Sequence, residues 1–287
     1  MKDFTIDNLT ESVVEAYTKD ASPRMKVIMK SLIEHLHQFA RDVELTEAEW
    51  FAGIQFLTAT GKMCDEQRQE FILLSDTLGL SMMVDAINHP KGGKGTESTV
   101  LGPFYVDGAP EVPSGSNIIK REEGYEKVLV EGHVTDADGN PLKGATLDVW
   151  QTAGNELYDV QDPTAPEWNL RAKIIANDDG SFAFVSETPK SYSVPNDGPV
   201  GKLLEAGNRH SMRPAHLHFI VAAPGYQTLT THIFVAGDPY LDSDAVFATK
   251  QSLVVDFESC DDDEVAASYG IETPFRRARY DFGLMPG

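Results

Sequence analysis

The hydrophobic period of this chain changes partway along, and that switch constrains its fold more than any other feature. From about residue 100 onward, short alternating segments recur with turn residues between them: KVLVEGHVTD, ADGNPLKG, ATLDVWQ, AKIIA, NDDG, SFAFVSE, AHLHFIVAAPG and THIFVAG. Alternation turns every second side chain to one face, the pattern of a half-buried strand. Asp138-Gly139 and Asp179-Gly180 are hairpin-type turns. Strands at this spacing, with no helical pattern between them, indicate an antiparallel sandwich or barrel.

Before about residue 90 the period is helical. Met25, Ile28, Met29, Leu32, Leu36, Phe39 and Val43 recur every three or four residues and form one amphipathic stripe. Ser22-Pro23 suits the start of that helix. His35 and His37 belong to it but face different ways, as solvated positions. Thr46 and Glu49 make a capping box for a second helix through Trp50, Ile54 and Leu57. A third stretch, FILLSDTLGLSMMVDAINH, is apolar nearly all round and reads as a helix packed on both sides. The Gly- and Pro-rich segment HPKGGKGTESTVLGPFYVDGAP crosses from one regime to the other. The acidic run Asp261 to Glu264 reads as a solvated loop.

Charge narrows the partners. With 45 acidic and 24 basic residues, the formal net charge is −21. Nucleic acid and anionic membrane surfaces need clustered Lys and Arg, so neither is expected as a partner. No apolar run of roughly 18 residues exists, so no membrane insertion is expected. MKDFTIDNLT has no apolar signal region, and Cys64 and Cys260 lie far apart in sequence. A cytoplasmic enzyme with two reduced thiols is the expectation.

His216-Leu217-His218 lies in the strand-like segment RPAHLHFIVAA. On a strand, residues i and i+2 project from one face. Two imidazoles on a buried face need partners. Taken alone, the pair suits a metal site, a surface or a hydrogen-bonded core. Zinc would want a third ligand, for which His210 and His232 are the nearby imidazoles. Tyr158 and Tyr192 stand in Pro-, Asp- and Gly-rich segments that read as loops. Two phenols with two imidazoles would suit a hard trivalent cation, which stabilises phenolate well below its free pKa of about 10.

Beyond these single features, four segments resemble the intradiol ring-cleaving dioxygenases of the catechol 1,2-dioxygenase type. They are TVLGPFYVDGAP, VEGHVTDADGNPLKGATLDVWQTAGNELYDVQ, RAKIIANDDGSFAFVSETPKSYSVPNDGPVG and RPAHLHFIVAAPGYQTLTTHIFVAGDPYLDSD. The likeness implies a mainly β chain with a helical N-terminal part. Residues 1–105 would form an α-helical dimerisation and linker region, and residues 106–287 an antiparallel β-sandwich catalytic domain. It implies one non-haem Fe(III) per subunit, held by Tyr158, Tyr192, His216 and His218, and a homodimer through the N-terminal helices, in some members with lipid between them.

The resemblance also assigns roles. Arg213 matches an arginine that faces the substrate, and Tyr192 the phenolate that leaves the metal and takes a substrate proton. Leu73, Asp76, Val100, Gly102, Pro103, Phe104, Val194, Pro195 and Val246 match pocket positions. His232 stands where many catechol and chlorocatechol cleavers have glutamine. THIF together with DPYLDSDAVF looks more like the hydroxyquinol (benzene-1,2,4-triol) enzymes. Asp76 agrees, since a carboxylate can accept a hydrogen bond from a third ring hydroxyl. The expected substrates are therefore hydroxyquinol and O2, giving 3-hydroxymuconate or its tautomer maleylacetate, with catechol or chlorocatechol cleavage as the alternative.

Overall fold

The computed structural model describes residues 3–65, 68–89 and 94–287. They form two compact units that divide between Ala59 and Thr60. Residues 90–93 of the Gly-rich crossing lie outside the described residues.

In the first unit, α1 (Leu9–Thr18) packs along α2 (Pro23–Asp42), and α3 (Glu47–Lys62) follows and runs past the division. The Ser22 side chain accepts from the Met25 amide, with Pro23 in the first turn, so α2 begins where expected. The capping box also forms. Thr46 N donates to Glu49 Oε2 at 2.9 Å, and Glu49 N to Thr46 Oγ1 at 3.3 Å. Such reciprocal bonds satisfy amides that the helix itself leaves free. Along the α2 stripe Met25, Ile28, Leu32, Leu36, Phe39 and Val43 are exposed. His35 is solvated as expected, but His37 is half-buried and meets Thr10 of α1 at 3.0 Å.

The second unit opens with α4 (Glu70–Thr77) and α5 (Leu80–Asn88). Their sequence reads as one helix, but Gly79, at φ 73°, breaks it. A left-handed conformation costs glycine little and stops α-helical propagation. The expectation of packing on both sides is also corrected. Leu73 and Leu74 are buried, whereas Leu80, Met83, Val84 and Ile87 are exposed. Two short helices each turn one side inward.

The strands follow: β1 (Glu111–Pro113), β2 (Ser116–Asn117), β3 (Lys127–Asp136), β4 (Thr146–Trp150), β5 (Arg171–Ile175), β6 (Ser181–Glu187) and β7 (Tyr192–Ser193). After α6 (Pro199–Ala206) come β8 (Met212–Arg213), β9 (His216–Ala222), β10 (Leu229–Val235), β11 (Val254–Val255) and β12 (Phe257–Cys260). Then α7 (Asp263–Ser268) precedes β13 (Phe275–Arg279) and β14 (Phe282–Leu284). Asp262 of the acidic run caps α7 by accepting from the Glu264 and Val265 amides, so this run starts a helix rather than forming only a loop.

One sheet runs β1-β5-β4-β9-β10-β11 and the other β12-β13-β3-β6-β2, with β14 also on β3. Pairs β4–β5, β4–β9, β9–β10 and β3–β6 are antiparallel, while β1, β2, β11, β13 and β14 join in parallel. Between the sheets, Leu147, Val149, Leu217, Phe219, Val221 and Ile233 meet Val128, Val130, Phe182 and Phe184. This apolar layer uses alternate residues of β4, β9 and β10. The intervening residues, Trp150, His216, His218, His232 and Phe234, therefore stand on the opposite face of the first sheet. Among the described residues, no helix is long and apolar enough to cross a membrane.

Candidate metal centre

Register assembles the imidazoles. His218 on β9 lies opposite His232 on β10 and opposite Trp150 on β4, and His216 lies opposite Phe234. The Trp150 indole stacks on the His218 ring at 4.5 Å and 13°. Although this face points away from the sandwich core, His216, His218 and His232 are all buried. Irregular segments cover it and bring in the phenols.

Tyr158 comes from the connection between β4 and β5. Tyr192, expected in a loop, instead sits on the two-residue strand β7, whose partner β8 places Tyr192 opposite Arg213. A two-residue strand is too short to show an alternating pattern. The Tyr158 hydroxyl lies 2.9 Å from His218 Nε2 and donates to the Tyr192 hydroxyl at 3.2 Å. His216 Nε2 lies 3.1 Å from His218 Nε2. Donors bound to one cation at about 2.0–2.1 Å sit about 3 Å apart around it, and the separations of 3.2, 2.9 and 3.1 Å along this row of atoms are of that size.

Protonation fits the same reading. His216 Nδ1 donates to the Pro214 carbonyl at 2.7 Å, which leaves Nε2 with a lone pair facing the cluster. Burial first, then the Arg213 charge, pushes His216 well below the ordinary histidine pKa. Burial, followed by the neighbouring imidazoles, does the same to His218. Both imidazoles are neutral at neutral pH. Burial, reinforced by Tyr192, pushes the Tyr158 phenol well above its usual value, with Arg213 opposing. A phenol so placed becomes phenolate only beside a strong positive charge. Two neutral imidazoles and two phenols gathered in one buried cluster can hold a metal ion.

His216, His218 and His232 also form a cluster whose candidate ligand atoms lie within 4.8 Å of one another. His232 Nδ1 pairs with the Thr99 hydroxyl, and its Nε2 is buried without a hydrogen-bond partner. His210 is outside this cluster; its Nε2 pairs with Ser243 Oγ at 3.0 Å and its ring sits edge-on to Tyr240.

Arg213 reaches the donors directly. Its Nη1 donates to His216 Nε2 at 3.1 Å and to the Tyr192 hydroxyl at 3.4 Å. Burial works against its charge, but Asp244 and the two phenols outweigh burial and hold it protonated. Asp244 accepts from Arg213 Nε at 3.1 Å and also from the Val246 and Ala248 amides. Sequence reasoning missed Asp244, because its partner lies 31 residues away with no local pattern joining them. Trp150 was missed too, and only strand register could have shown it.

Two of the remaining pocket positions touch this centre. The Phe104 ring stacks on Tyr158 at 4.6 Å and 26°. Gly102, at φ 78°, approaches so closely that a Cβ there would lie 3.2 Å from His218 Cε1. Leu73, Val100, Val194 and Val246 are buried, and Pro103 and Pro195 half-buried. Asp76 on α4 is buried and within electrostatic reach of Arg213 and Asp244. Burial raises its pKa, with a hydrogen bond from Ser81 opposing.

Comparison with known proteins identifies the family. A family model described as "Dioxygenase" matches residues 100–286, and one described as "Catechol dioxygenase N terminus" matches residues 22–96. The chain is 48% identical to the hydroxyquinol 1,2-dioxygenase of Rhizobium sp. over 283 residues, 98% of this chain and 96% of the relative. The crystal structure of hydroxyquinol 1,2-dioxygenase from Pseudomonas putida DLL-E4 superposes with a TM-score of 0.90 at 48% identity, covering 98% of this chain and 99% of that one. That of Acinetobacter radioresistens catechol 1,2 dioxygenase gives 0.87 at 29% identity, covering 100% of this chain and 95% of that one.

Proposed function

The chain belongs to the intradiol dioxygenase family, and from that membership we propose that it cleaves hydroxyquinol with O2 between the two adjacent hydroxyl-bearing carbons. The observation that carries this reading is the convergence of two phenolic oxygens and two imidazole nitrogens in one buried cluster. Tyr158, Tyr192, His216 and His218 would hold one ferric ion per subunit. Held there, ferric iron supplies Lewis acidity toward a chelating 1,2-diol, activating the substrate rather than dioxygen.

The protein's own groups do the rest. Held as a phenolate, the Tyr192 oxygen would accept one substrate proton and become a neutral phenol, and the Arg213 hydrogen bond helps to hold that oxygen in place. Arg213 offers fixed positive charge where negative charge develops on the ring, an effect worth about 2.7–4 kcal/mol for a comparable single donor. Asp76 takes a hydrogen bond from the third hydroxyl, which catechol lacks. Leu73, Val100, Gly102, Pro103, Phe104, Val194, Pro195 and Val246 shape the pocket, and His232 backs it beside His218. Burial of the cluster keeps bulk water from the reacting ring.

Residues 1–105 serve as the dimerisation and linker region and residues 106–287 as the catalytic domain. The exposed apolar stripe of α2 suits a homodimer contact that takes up lipid. Cys64 and Cys260 are free, as suits the reducing cytoplasm. Metal analysis and oxygen uptake on catechol, 4-chlorocatechol, hydroxyquinol and protocatechuate test the function. The expected result is iron, fastest uptake with hydroxyquinol, and maleylacetate as product. Stoichiometric zinc with no oxygen uptake would overturn it, and faster uptake with catechol would move the substrate to the alternative.

A further inference from the structure

Tyr158 lies on an irregular connection, so no strand ladder holds its phenol against His218. Several of its bonds are local. Its amide donates to Gln161 Oε1 at 3.1 Å, and its carbonyl accepts from the Gln161 and Asp162 amides. These travel with the loop and cannot fix it to the sheet. Two arginines fasten the loop to other segments. Arg121, partly open to solvent, pairs with Asp162 at 2.8 Å. Arg171, the first residue of β5, is 2% exposed.

Arg171 grips the residue that follows Tyr158 and the residue whose ring stacks on it. Its Nη2 donates to Asp159 Oδ1 at 2.6 Å, and its Nε lies 3.2 Å from each oxygen of that carboxylate. Asp159 directly follows Tyr158. Arg171 Nη1 donates to the Phe104 carbonyl at 2.9 Å, and the Phe104 ring is the one stacked on Tyr158. On the ladder, Arg171 lies opposite Trp150, whose indole stacks on His218. One planar guanidinium thus ties the phenol's neighbour, the phenol's stacking partner and the strand beside the imidazole into one unit. A buried cation is costly to keep without such a complete set of partners.

We propose that Arg171, through Asp159 and Phe104, is the positioning residue that sets the pose of the Tyr158 phenol against His218. The proposal rests on reading Tyr158 as an iron ligand.

Arg171→Lys keeps the charge but loses the planar fork, and Asp159→Asn keeps the shape but loses the charge. Each is compared with the wild type by iron content, the visible phenolate-to-iron absorption band, thermal midpoint, kcat and KM. The expected result is wild-type iron content with a shifted or weakened band in both variants. kcat should fall about tenfold to a hundredfold, as for a reacting group misplaced by about 1 Å, with KM nearly unchanged. Variants that fold, hold iron and keep the wild-type band would overturn the proposal. So would failure of both to fold, because Arg171 would then hold the fold rather than the pose. An iron-loaded wild type without the band would instead overturn Tyr158 as a ligand, a distinct failure.

Discussion

Replacing Asp244 by asparagine separates the pose of Arg213 from its presence. The two side chains are 2% and 1% exposed, with Nε to Oδ1 at 3.1 Å and a second contact from Nη2 to Oδ2 at 3.4 Å. Removing one member of a buried ion pair leaves the other charge uncompensated and costs about 3–5 kcal/mol. Asparagine keeps the shape and one acceptor for the Val246 or Ala248 amide, which favours the lower limit, about 3 kcal/mol. For a unit of this size, about 2–4 °C is lost per kcal/mol, so the thermal midpoint should fall by about 6–12 °C. The freed guanidinium can then turn from Tyr192 and His216. kcat for hydroxyquinol should fall about tenfold or more, short of the 10²–10³ loss seen when such a donor is deleted outright. Calorimetry and oxygen uptake at saturating substrate measure both effects on the same iron-loaded sample. A midpoint within about 2 °C of wild type, with kcat unchanged, would refute the idea that Asp244 carries and aims Arg213.

Three further outcomes are expected. Asp76→Asn should lower kcat/KM for hydroxyquinol about 5- to 150-fold, the range of one buried hydrogen bond, and affect catechol much less; equal losses would remove Asp76 as the group that selects the triol. Tyr158→Phe should weaken iron retention, visible absorbance and activity together, and a fully coloured, active variant would dismiss the phenol as a ligand. In the iron-free protein His216, His218 and His232 are each held below their ordinary pKa, chiefly by burial. The unfolded chain then binds more protons below about pH 6.5, so stability is complete above that pH and falls as pH drops, by up to about 1.4 kcal/mol per pH unit per histidine. Urea midpoints that do not change between about pH 7.5 and pH 5.5 would contradict this sign.

Much of the site was legible because alternation is a local signal. In AHLHFIVAA it separates Leu217 and Phe219 from His216 and His218, and the structure puts the first pair between the sheets and the second on the opposite face. The metal set itself was legible only through resemblance, because no local rule joins Tyr158 and Tyr192 to residues 60 and 24 positions further on. Features that depend on long-range pairing stayed hidden: the short strand under Tyr192, the Asp244 partner of Arg213, and Trp150 against His218. The break at Gly79 was hidden for a different reason. A lone glycine in an apolar run is often carried inside a helix, and only its left-handed conformation shows that the helix ends there.

Strand register is the quantity on which both fold and chemistry turn. A slip of β9 by one residue would carry His216 and His218 into the apolar layer and turn Leu217 and Phe219 out toward the phenols. Unpaired imidazoles buried among Val149, Phe184 and Ile233 would each cost about 1–3 kcal/mol, so the slipped state is strongly disfavoured before any metal binds. The same packing that stabilises the sandwich therefore presents the imidazoles correctly. It leaves the phenols, which stand outside the two large sheets, to be aimed by buried charge pairs: Asp159 with Arg171 beside Tyr158, and Asp244 with Arg213 beside Tyr192. The imidazoles should accordingly tolerate changes in the covering segments, whereas the pose of each phenol should depend on its own arginine.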